Sequence, residues 1–177
     1  YTNYSIKVKY RLAENLVSGD SYIVEPLSSD KVLSVENSGT VNGSNIIQEE
    51  KQGLPSQRFV LSLVEGVYWK ITPESVPSRA LDVFNISREN GANIVIWDYW
   101  GGYGQQWQIA EEEEGVYTFI SRNSEKCLDV NMVNNNVIQW ECTGAENQKF
   151  KLTNTTSSLN VIARKHLRIY PNPAKND

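Results

Sequence analysis

The chain has 177 residues, a formal net charge of −4 and a single histidine, a length that suits one domain with short tails and a substantial core. The negative charge leaves no basic surface for phosphate contacts, so no nucleic acid is expected as a partner. No apolar run approaches the roughly 20 residues of a transmembrane helix, so no membrane-spanning segment is expected.

The first predicted element is a strand near the N-terminus. Tyr4, Ile6, Val8, Tyr10 and Leu12 alternate with polar residues, a period typical of a half-buried strand. We expect residues 1–17 to form a strand and linker that either ends a preceding domain or lies against the side of the next one. The segment lacks the apolar core of a signal peptide, which suggests a fragment of a longer or processed protein.

From about residue 18 the sequence repeats one pattern three times. Leu-X-Val triplets are centred at residues 34, 82 and 129, and Gln-X-aromatic triplets begin at residues 57, 105 and 148. A period of this size signals a repeat architecture. The third repeat is shorter, because the step from position 34 to 49 or from 82 to 97 is 15 residues and the step from 129 to 140 is 11. We expect repeats at about 18–65, 66–114 and 115–154.

Each repeat has the polarity pattern of short strands. Runs such as Tyr117–Ile120 and Asn136–Trp140 alternate with period two, and turn-forming clusters such as Asn42-Gly43-Ser44 separate them. No segment has the pattern of an amphipathic helix. Four strands per repeat predict an all-β fold of twelve strands, closed around a pseudo-threefold axis because no repeat can bury its apolar face alone. The side chains expected to fill this core are Leu33, Leu81, Leu128, Phe59, Trp107 and Phe150.

The triplets and the spacing between them resemble the ricin B-type lectin domain, which is also counted among carbohydrate-binding modules and carries Gln-X-Trp repeats. The resemblance covers roughly Gly19 to Thr153. It implies a β-trefoil at 18–154 and a non-catalytic, lectin-like function. The implied partner is an oligosaccharide or polysaccharide, and no cofactor is expected.

The third repeat has the residue types that a sugar site needs, namely a polar group for hydroxyl pairs and an aromatic plane for the C–H face. By the resemblance, Asp129 would accept bonds from two vicinal hydroxyls, Trp140 would stack on the ring, and Asn147 would bond one of the same hydroxyls. Gln148 would support Asp129 and the core. Ile138 stands where the family often has Gln, so the sequence leaves the sugar preference open.

The second repeat has a less polar version of the same set. It keeps Asp82, Trp97 and Gln105, but Gly104 takes the place of Asn147. Three further aromatic residues crowd its loop: Tyr99, Trp100 and Tyr103. They either extend a platform along an oligosaccharide or pack the loop. Val95 stands where the family often has Gln, so we expect a site with fewer polar contacts.

The first repeat has lost the corresponding residues. Ser34 replaces the Asp, Glu49 replaces the Trp and Ser56 replaces the Asn. We expect this repeat to have no active sugar site.

Cys127 and Cys142 are the only cysteines. The resemblance implies a disulfide between them, because this family often bridges the strands that enter and leave a site loop; the alternative is two reduced, buried thiols. A closed loop of about 15 residues would contribute roughly 3 kcal/mol of stability. The bond would also imply an oxidising compartment.

The sequence gives no basis for catalysis by this domain. Asp82 and Asp129 occupy equivalent places in different repeats, too far apart for a glycosidase pair. His166 lies beyond the third repeat, so no Ser/His or Cys/His pair and no metal-ligand cluster is expected in the trefoil. The acidic run Glu111–Glu114 is interpreted as a solvated turn.

Residues 155–177 are predicted to be a linker and the truncated start of another domain. The segment Leu167–Ala174, with Tyr170-Pro171-Asn172-Pro173 inside it, resembles the opening of the C-terminal sorting domain of the type IX secretion system of Bacteroidetes-type bacteria. The alternative is an ordinary proline-containing linker. The resemblance implies a secreted or cell-surface protein that is exported across the bacterial outer membrane.

These features predict a monomeric, secreted carbohydrate-binding module, covalently linked to a polysaccharide-degrading catalytic domain in the parent protein. The alternative is a trefoil with degenerate sugar sites that serves as a structural spacer or protein-interaction module. An enzyme in its own right is the third hypothesis.

Overall fold

The structure is a computed structural model that describes residues 11–13 and 15–156. Short strands dominate the described residues, and single turns of 3-10 helix connect several of them. The strands are β1 Arg11–Leu12, β2 Asp20–Pro26, β3 Val32–Val35, β4 Ile46–Glu49, β5 Phe59–Glu65, β6 Tyr68–Pro73, β7 Arg79–Val83, β8 Ile94–Asp98, β9 Trp107–Glu113, β10 Val116–Ser121, β11 Cys127–Val130, β12 Val137–Trp140 and β13 Phe150–Asn154.

Six of the strands close into a barrel. Each of β2, β5, β6, β9, β10 and β13 pairs antiparallel with the next, and β13 pairs with β2 to complete the ring. Closure gives each of these strands a partner on both sides. The remaining pairs, β3–β4, β7–β8 and β11–β12, are hairpins. The predicted all-β trefoil of three four-stranded repeats, β2–β5, β6–β9 and β10–β13, is therefore confirmed.

The hairpins meet around the pseudo-threefold axis. Backbone bridges join Asn45 to Val95, Ile47 to Asn136, and Asn93 to Ile138. At the same place three asparagine side chains form a closed ring. Asn45 Nδ2 donates to Asn136 Oδ1 at 2.9 Å, Asn136 Nδ2 to Asn93 Oδ1 at 2.9 Å, and Asn93 Nδ2 to Asn45 Oδ1 at 2.8 Å. This ring ties the three repeats together.

The predicted core is confirmed. Leu33, Leu81 and Leu128 are each 1% exposed, Phe59, Trp107 and Phe150 are fully buried, and all six belong to one apolar cluster. They come from equivalent places in the three repeats, so they converge on the axis. Burial of each such side chain contributes about 1.5–3 kcal/mol.

The predicted disulfide is also confirmed. Cys127 and Cys142 are bonded, with their Cα atoms 5.1 Å apart. Cys127 pairs with Trp140 in the ladder between β11 and β12. The bond therefore fastens the segment that follows Trp140 to the start of β11.

The acidic run Glu111–Glu114 does not form a solvated turn as the sequence predicted, because most of it belongs to a strand. Glu111 to Glu113 belong to β9, and only Glu114 lies in the turn. Glu112 forms an ion pair with Lys149 at 3.3 Å and accepts a hydrogen bond from Thr118 at 2.9 Å. Cross-strand partners of this kind make a charged strand face stable.

The tails are only partly described. At the front, Arg11 and Leu12 pair with Glu111 and Ala110 of β9, so the end of the predicted N-terminal strand lies against the barrel. The rest of that strand, His166 and the segment Leu167–Ala174 lie outside the described residues. Within the described part of the chain, no helix has the length and apolarity that a membrane span requires.

Candidate functional site

The site of the third repeat is centred on a buried, fixed carboxylate. Asp129 of β11 is 7% exposed. Asn147 Nδ2 donates to its Oδ1 at 3.0 Å, and Gln148 Nε2 donates to its Oδ2 at 2.8 Å. Burial raises the pKa of Asp129 above its ordinary value, and the two amide hydrogen bonds partly offset that rise. The geometry therefore holds both oxygens in one orientation, with lone pairs left to accept further donors.

An exposed indole lies on the neighbouring strand. Trp140 ends β12, which pairs with the strand of Asp129, and 42% of its surface is exposed. The turn of the second repeat supports it: a Cβ added to Gly91 would lie 3.6 Å from the indole, and Asn90 Oδ1 accepts the Glu141 N–H at 3.0 Å. Sequence reasoning missed this support. The only signal was the Asn-Gly pair that recurs in the first repeat as Asn42-Gly43.

The closing glutamines are scaffold residues in every repeat. Gln57, Gln105 and Gln148 each donate to the backbone carbonyl seven residues upstream at 2.8–2.9 Å, and each accepts the backbone N–H five residues upstream at 2.8–3.0 Å. All three are buried. Gln148 additionally contacts Asp129, as its expected supporting role requires.

The neighbour of Ile138 does not replace the glutamine that the family often has there. Gln139 is fully buried and donates to the carbonyls of Ser87 and Glu89 at 3.0 and 2.9 Å. It also accepts the Ser124 hydroxyl at 2.7 Å. This amide links the second and third repeats rather than facing the site.

The second repeat has the same carboxylate and indole with fewer polar neighbours. Asp82 is 6% exposed and Trp97 is 37% exposed. A Cβ at Gly104 would lie 3.1 Å from Asp82 Oδ1, so the glycine leaves the place of the Asn147 amide empty. Burial raises the pKa of Asp82 to about 6, and the Gln105 side chain offsets only part of this.

A cleft of about 180 Å³ opens at this place. Its lining residues are Asp82, Phe84, Asn85, Ile86, Trp97 and Trp100. Trp97 has a support like that of Trp140, because a Cβ at Gly43 would lie 3.8 Å from its ring and Asn42 Oδ1 accepts the Asp98 N–H at 2.8 Å.

The three further aromatic residues of this loop take different positions. Trp100 lines the cleft, is 60% exposed, and packs on Gly102, where a Cβ would lie 2.1 Å from its ring. Tyr103 stacks on the Arg122 guanidinium at 4.1 Å. Tyr99 does not line the cleft and has the Lys70 ammonium 4.8 Å from its ring centroid. The structure therefore brings only Trp100 of the three to Asp82 and Trp97.

The first repeat has different contacts at the equivalent positions. Ser34 is fully buried and donates to the Val35 carbonyl at 3.3 Å. Glu49 accepts a hydrogen bond from Gln57 at 3.3 Å, and the Ser56 hydroxyl lies 3.1 Å from that of Ser38. These positions offer no aromatic plane, and Ser34 is occupied with the backbone.

The closed barrel with three hairpins is that of a β-trefoil, and two of its repeats carry a buried carboxylate beside an exposed indole. Residues 8–97 and 103–167 match the sequence profile of the family described as ricin-type beta-trefoil lectin domain-like. The chain belongs to this family. A search of curated protein sequences finds no match.

Solved structures share the fold. The designed threefold-symmetric protein ThreeFoil is 35% identical with a TM-score of 0.73, and the match covers 75% of this chain and 97% of that one. The exo-beta-1,3-galactanase 1,3Gal43A from Clostridium thermocellum is 31% identical with a TM-score of 0.72, covering 82% of this chain and only 31% of the galactanase. The Rhizoctonia solani agglutinin is 17% identical with a TM-score of 0.71, covering 80% and 99%, and shows the fold alone.

Proposed function

We propose that this domain binds carbohydrate without catalysis and targets a secreted, polysaccharide-degrading parent protein to its glycan. The observation that carries the proposal is Asp129, whose two oxygens are fixed by Asn147 and Gln148 next to the exposed ring of Trp140. A carboxylate held in this way accepts two adjacent hydroxyls, and the indole covers the C–H face of the sugar. The second repeat, with Asp82 and Trp97, provides a second site.

The wider role rests on separate support. The disulfide between Cys127 and Cys142 suits an oxidising, extracellular compartment. The match to one part of a galactanase chain supports attachment to a glycan-active enzyme, with this domain as a monomeric module. Export across the bacterial outer membrane rests on the sequence Tyr170-Pro171-Asn172-Pro173.

The first experiment is a glycan array followed by titration of the best ligand against two variants. Asp129→Asn and Trp140→Ala should each weaken binding at the third repeat at least about tenfold, since either the charged acceptor or the stacking plane is lost. The titration is done in a Trp97→Ala background, so that only the third repeat is measured.

A matched control is Glu49→Ala, which truncates the residue of the first repeat that corresponds to Trp140. This variant should bind as the background protein does. Circular dichroism and thermal unfolding should show that the fold is retained in every variant. Unchanged affinity in both Asp129→Asn and Trp140→Ala would remove the site assignment.

A spacer or protein-interaction module is the second candidate. It is favoured by the first repeat, where Ser34, Glu49 and Ser56 leave neither the carboxylate nor the indole in place. Retention on immobilised polysaccharides separates the two candidates. No retention on any glycan, together with capture of a specific protein partner, would favour the spacer.

A further inference from the structure

The cleft of the second repeat exposes more apolar surface than an unsubstituted sugar requires. Besides the stacking residue Trp97, it is lined by Phe84, Ile86 and Trp100, which are 41%, 48% and 60% exposed. The rings of Phe84 and Trp97 are tilted by 52°, with centroids 6.4 Å apart. A concentration of exposed apolar side chains around one polar group is typical of a ligand site.

One further amide lines the same cleft without a partner. The Asn85 side chain makes no hydrogen bond to any residue in the described part of the chain. At the corresponding place the third repeat has Met132, so this amide distinguishes the second site from the third. An exposed amide next to an apolar wall can donate to a ligand carbonyl.

The backbone at this wall is strained. Ile86 has φ of +54°, although it is β-branched, and Asn85 has φ of +57°. The first repeat has the same conformation at Asn37 and Ser38, where the second position is not β-branched. Strained positions of this kind cluster at ligand sites. Because the first repeat has the same conformation without the site residues, what is particular to the second repeat is the β-branched, apolar side chain of Ile86 at this turn.

We propose that the cleft of the second repeat binds a sugar unit that carries an acetyl group, as an N-acetyl or an O-acetyl substituent. Asp82 accepts ring hydroxyls, and Trp97 stacks on the pyranose. The acetyl methyl contacts the apolar wall, and the acetyl carbonyl accepts a hydrogen bond from Asn85. This inference rests on the carbohydrate binding proposed above and specifies the ligand class of one of its sites.

The size of the cleft and the chemistry of the substituent agree with this ligand. At about 180 Å³ the cleft is smaller than the roughly 300–1,000 Å³ of most drug-sized pockets, so it suits a single sugar unit. An acetyl group combines a methyl, which covers the wall of Phe84, Ile86 and Trp100, with a carbonyl acceptor for Asn85, whereas a free hydroxyl could bond the amide but brings no apolar group to the wall. Gly104 provides no amide for such a hydroxyl.

The test is made with Asp129→Asn/Trp140→Ala protein, so that only the second repeat is measured. The probes are N-acetylglucosamine against glucose, N-acetylgalactosamine against galactose, and acetylated xylo-oligosaccharides before and after alkaline deacetylation. Burial of one methyl group should increase the affinity about fourfold, and one amide hydrogen bond should increase it about fivefold. The two factors multiply to about twentyfold, so we expect at least one acetylated probe to bind about ten- to twentyfold more tightly than its partner. A preference for the N-acetyl sugars over glucose and galactose would indicate an N-acetyl ligand. A preference for the acetylated over the deacetylated xylo-oligosaccharides would indicate an O-acetyl ligand.

Two variants tie the preference to the cleft. Asn85→Gly keeps a residue that tolerates positive φ but removes the amide, and should reduce the acetyl preference three- to fivefold. The matched control is Asn37→Gly in the first repeat, where φ is +52°, and it should leave the preference unchanged. Trp100→Ala should reduce the preference by a similar factor.

The outcomes separate this inference from the proposed function. If the unmodified domain binds no glycan, both are overturned. If the unmodified domain binds glycan but the Asp129→Asn/Trp140→Ala protein binds acetylated and deacetylated probes equally, only this inference is overturned. If that protein binds no glycan, this inference and the second site are overturned, and carbohydrate binding at the third repeat stands. An acetyl preference that survives in both Asn85→Gly and Trp100→Ala would overturn it as well.

Discussion

In the site proposed for the second repeat, Asp82 would need to be ionised to accept two sugar hydroxyls, yet its surroundings disfavour the ionised form. Burial raises its pKa to about 6, and the nearby side chain of Gln105 offsets only part of this rise. Asp129 is buried to a similar degree, but two amides, Asn147 and Gln148, donate to it. The absence of a side chain at Gly104 is therefore the residue-level difference between the two carboxylates.

The first residue-scale prediction concerns pH. Because only ionised Asp82 accepts both hydroxyls, affinity at the second repeat should fall as the pH drops through about 6. At pH 5 about one tenth of the sites would be ionised, so binding should be roughly tenfold weaker than at pH 7.5. Calorimetric titration of Trp140→Ala protein at several pH values measures this. An affinity that is constant between pH 5 and 7.5 would contradict it.

The matched variant for this prediction is Asp82→Asn, which should bind weakly and with a flat pH profile.

The stability of Asp82→Asn gives a second check. A folded-state pKa above the ordinary 3.8 means that ionised Asp82 lowers the free energy of unfolding above about pH 6, and that this penalty disappears below about pH 4. Asp82→Asn should therefore be more stable than the parent at pH 7, by up to about 3 kcal/mol, and the gain should vanish in acid.

At the scale of elements, the loop between β7 and β8 serves two sites. Its first residues, Phe84 to Ile86, line the cleft of the second repeat, and its last, Asn90 and Gly91, support Trp140 of the third. The third repeat holds this loop in turn, since Asn123 donates to the Ile86 carbonyl at 2.9 Å. The residues that support Trp140 of the third repeat thus belong to the second repeat.

This shared loop predicts that a substitution in one repeat weakens glycan binding at the site of the next repeat. Asn90→Ala removes the acceptor of the Glu141 N–H and should weaken glycan binding at the third repeat about three- to tenfold, with the second repeat unchanged. Asn42→Ala removes the acceptor of the Asp98 N–H and should do the reverse. Each is measured by titration in the Trp97→Ala and Trp140→Ala backgrounds. Equal losses at both sites would show general destabilisation instead.

The same elements show which features a sequence predicts. Leu81 and Leu128 could be assigned to the core because the alternation of polarity and the repeat spacing place them at equivalent points of equivalent strands. Asp129 and Trp140 could be brought together because adjacent strands of one hairpin carry them. Both relations are local to a repeat.

Contacts between repeats could not be predicted in the same way. The support of Trp140 comes from Gly91, 49 positions earlier, and no spacing rule within one repeat relates the two. The acidic run belongs to a strand because β9 pairs with β10, and Glu112 forms an ion pair with Lys149; a charge run alone reveals neither. From the sequence, Tyr103 and Trp100 had the same expected role, but the Tyr103 ring stacks on the guanidinium of Arg122, which belongs to the next repeat.

At the scale of the whole molecule, the trefoil fixes its sites relative to one another. The ring of Asn45, Asn93 and Asn136 joins the three hairpins, and strand pairing between the repeats closes the barrel. Two binding sites on such a scaffold keep one separation and orientation. A second binding event on the same polymer then has little additional ordering cost.

This rigidity predicts that the two sites cooperate on polysaccharides but not on small sugars. A single weak site, with a dissociation constant near 1 mM, contributes only about −4 kcal/mol, whereas bivalent attachment can raise avidity 10²–10⁴-fold. Trp97→Ala and Trp140→Ala should therefore each reduce binding to a polymeric ligand at least about tenfold. With a monosaccharide, each substitution should abolish binding at its own site and leave the affinity of the other site unchanged. Surface plasmon resonance on immobilised polysaccharide, beside calorimetry with the monosaccharide and with Glu49→Ala as control, measures both quantities. Equal proportional losses on polymer and monosaccharide would mean that the two sites never engage one chain together.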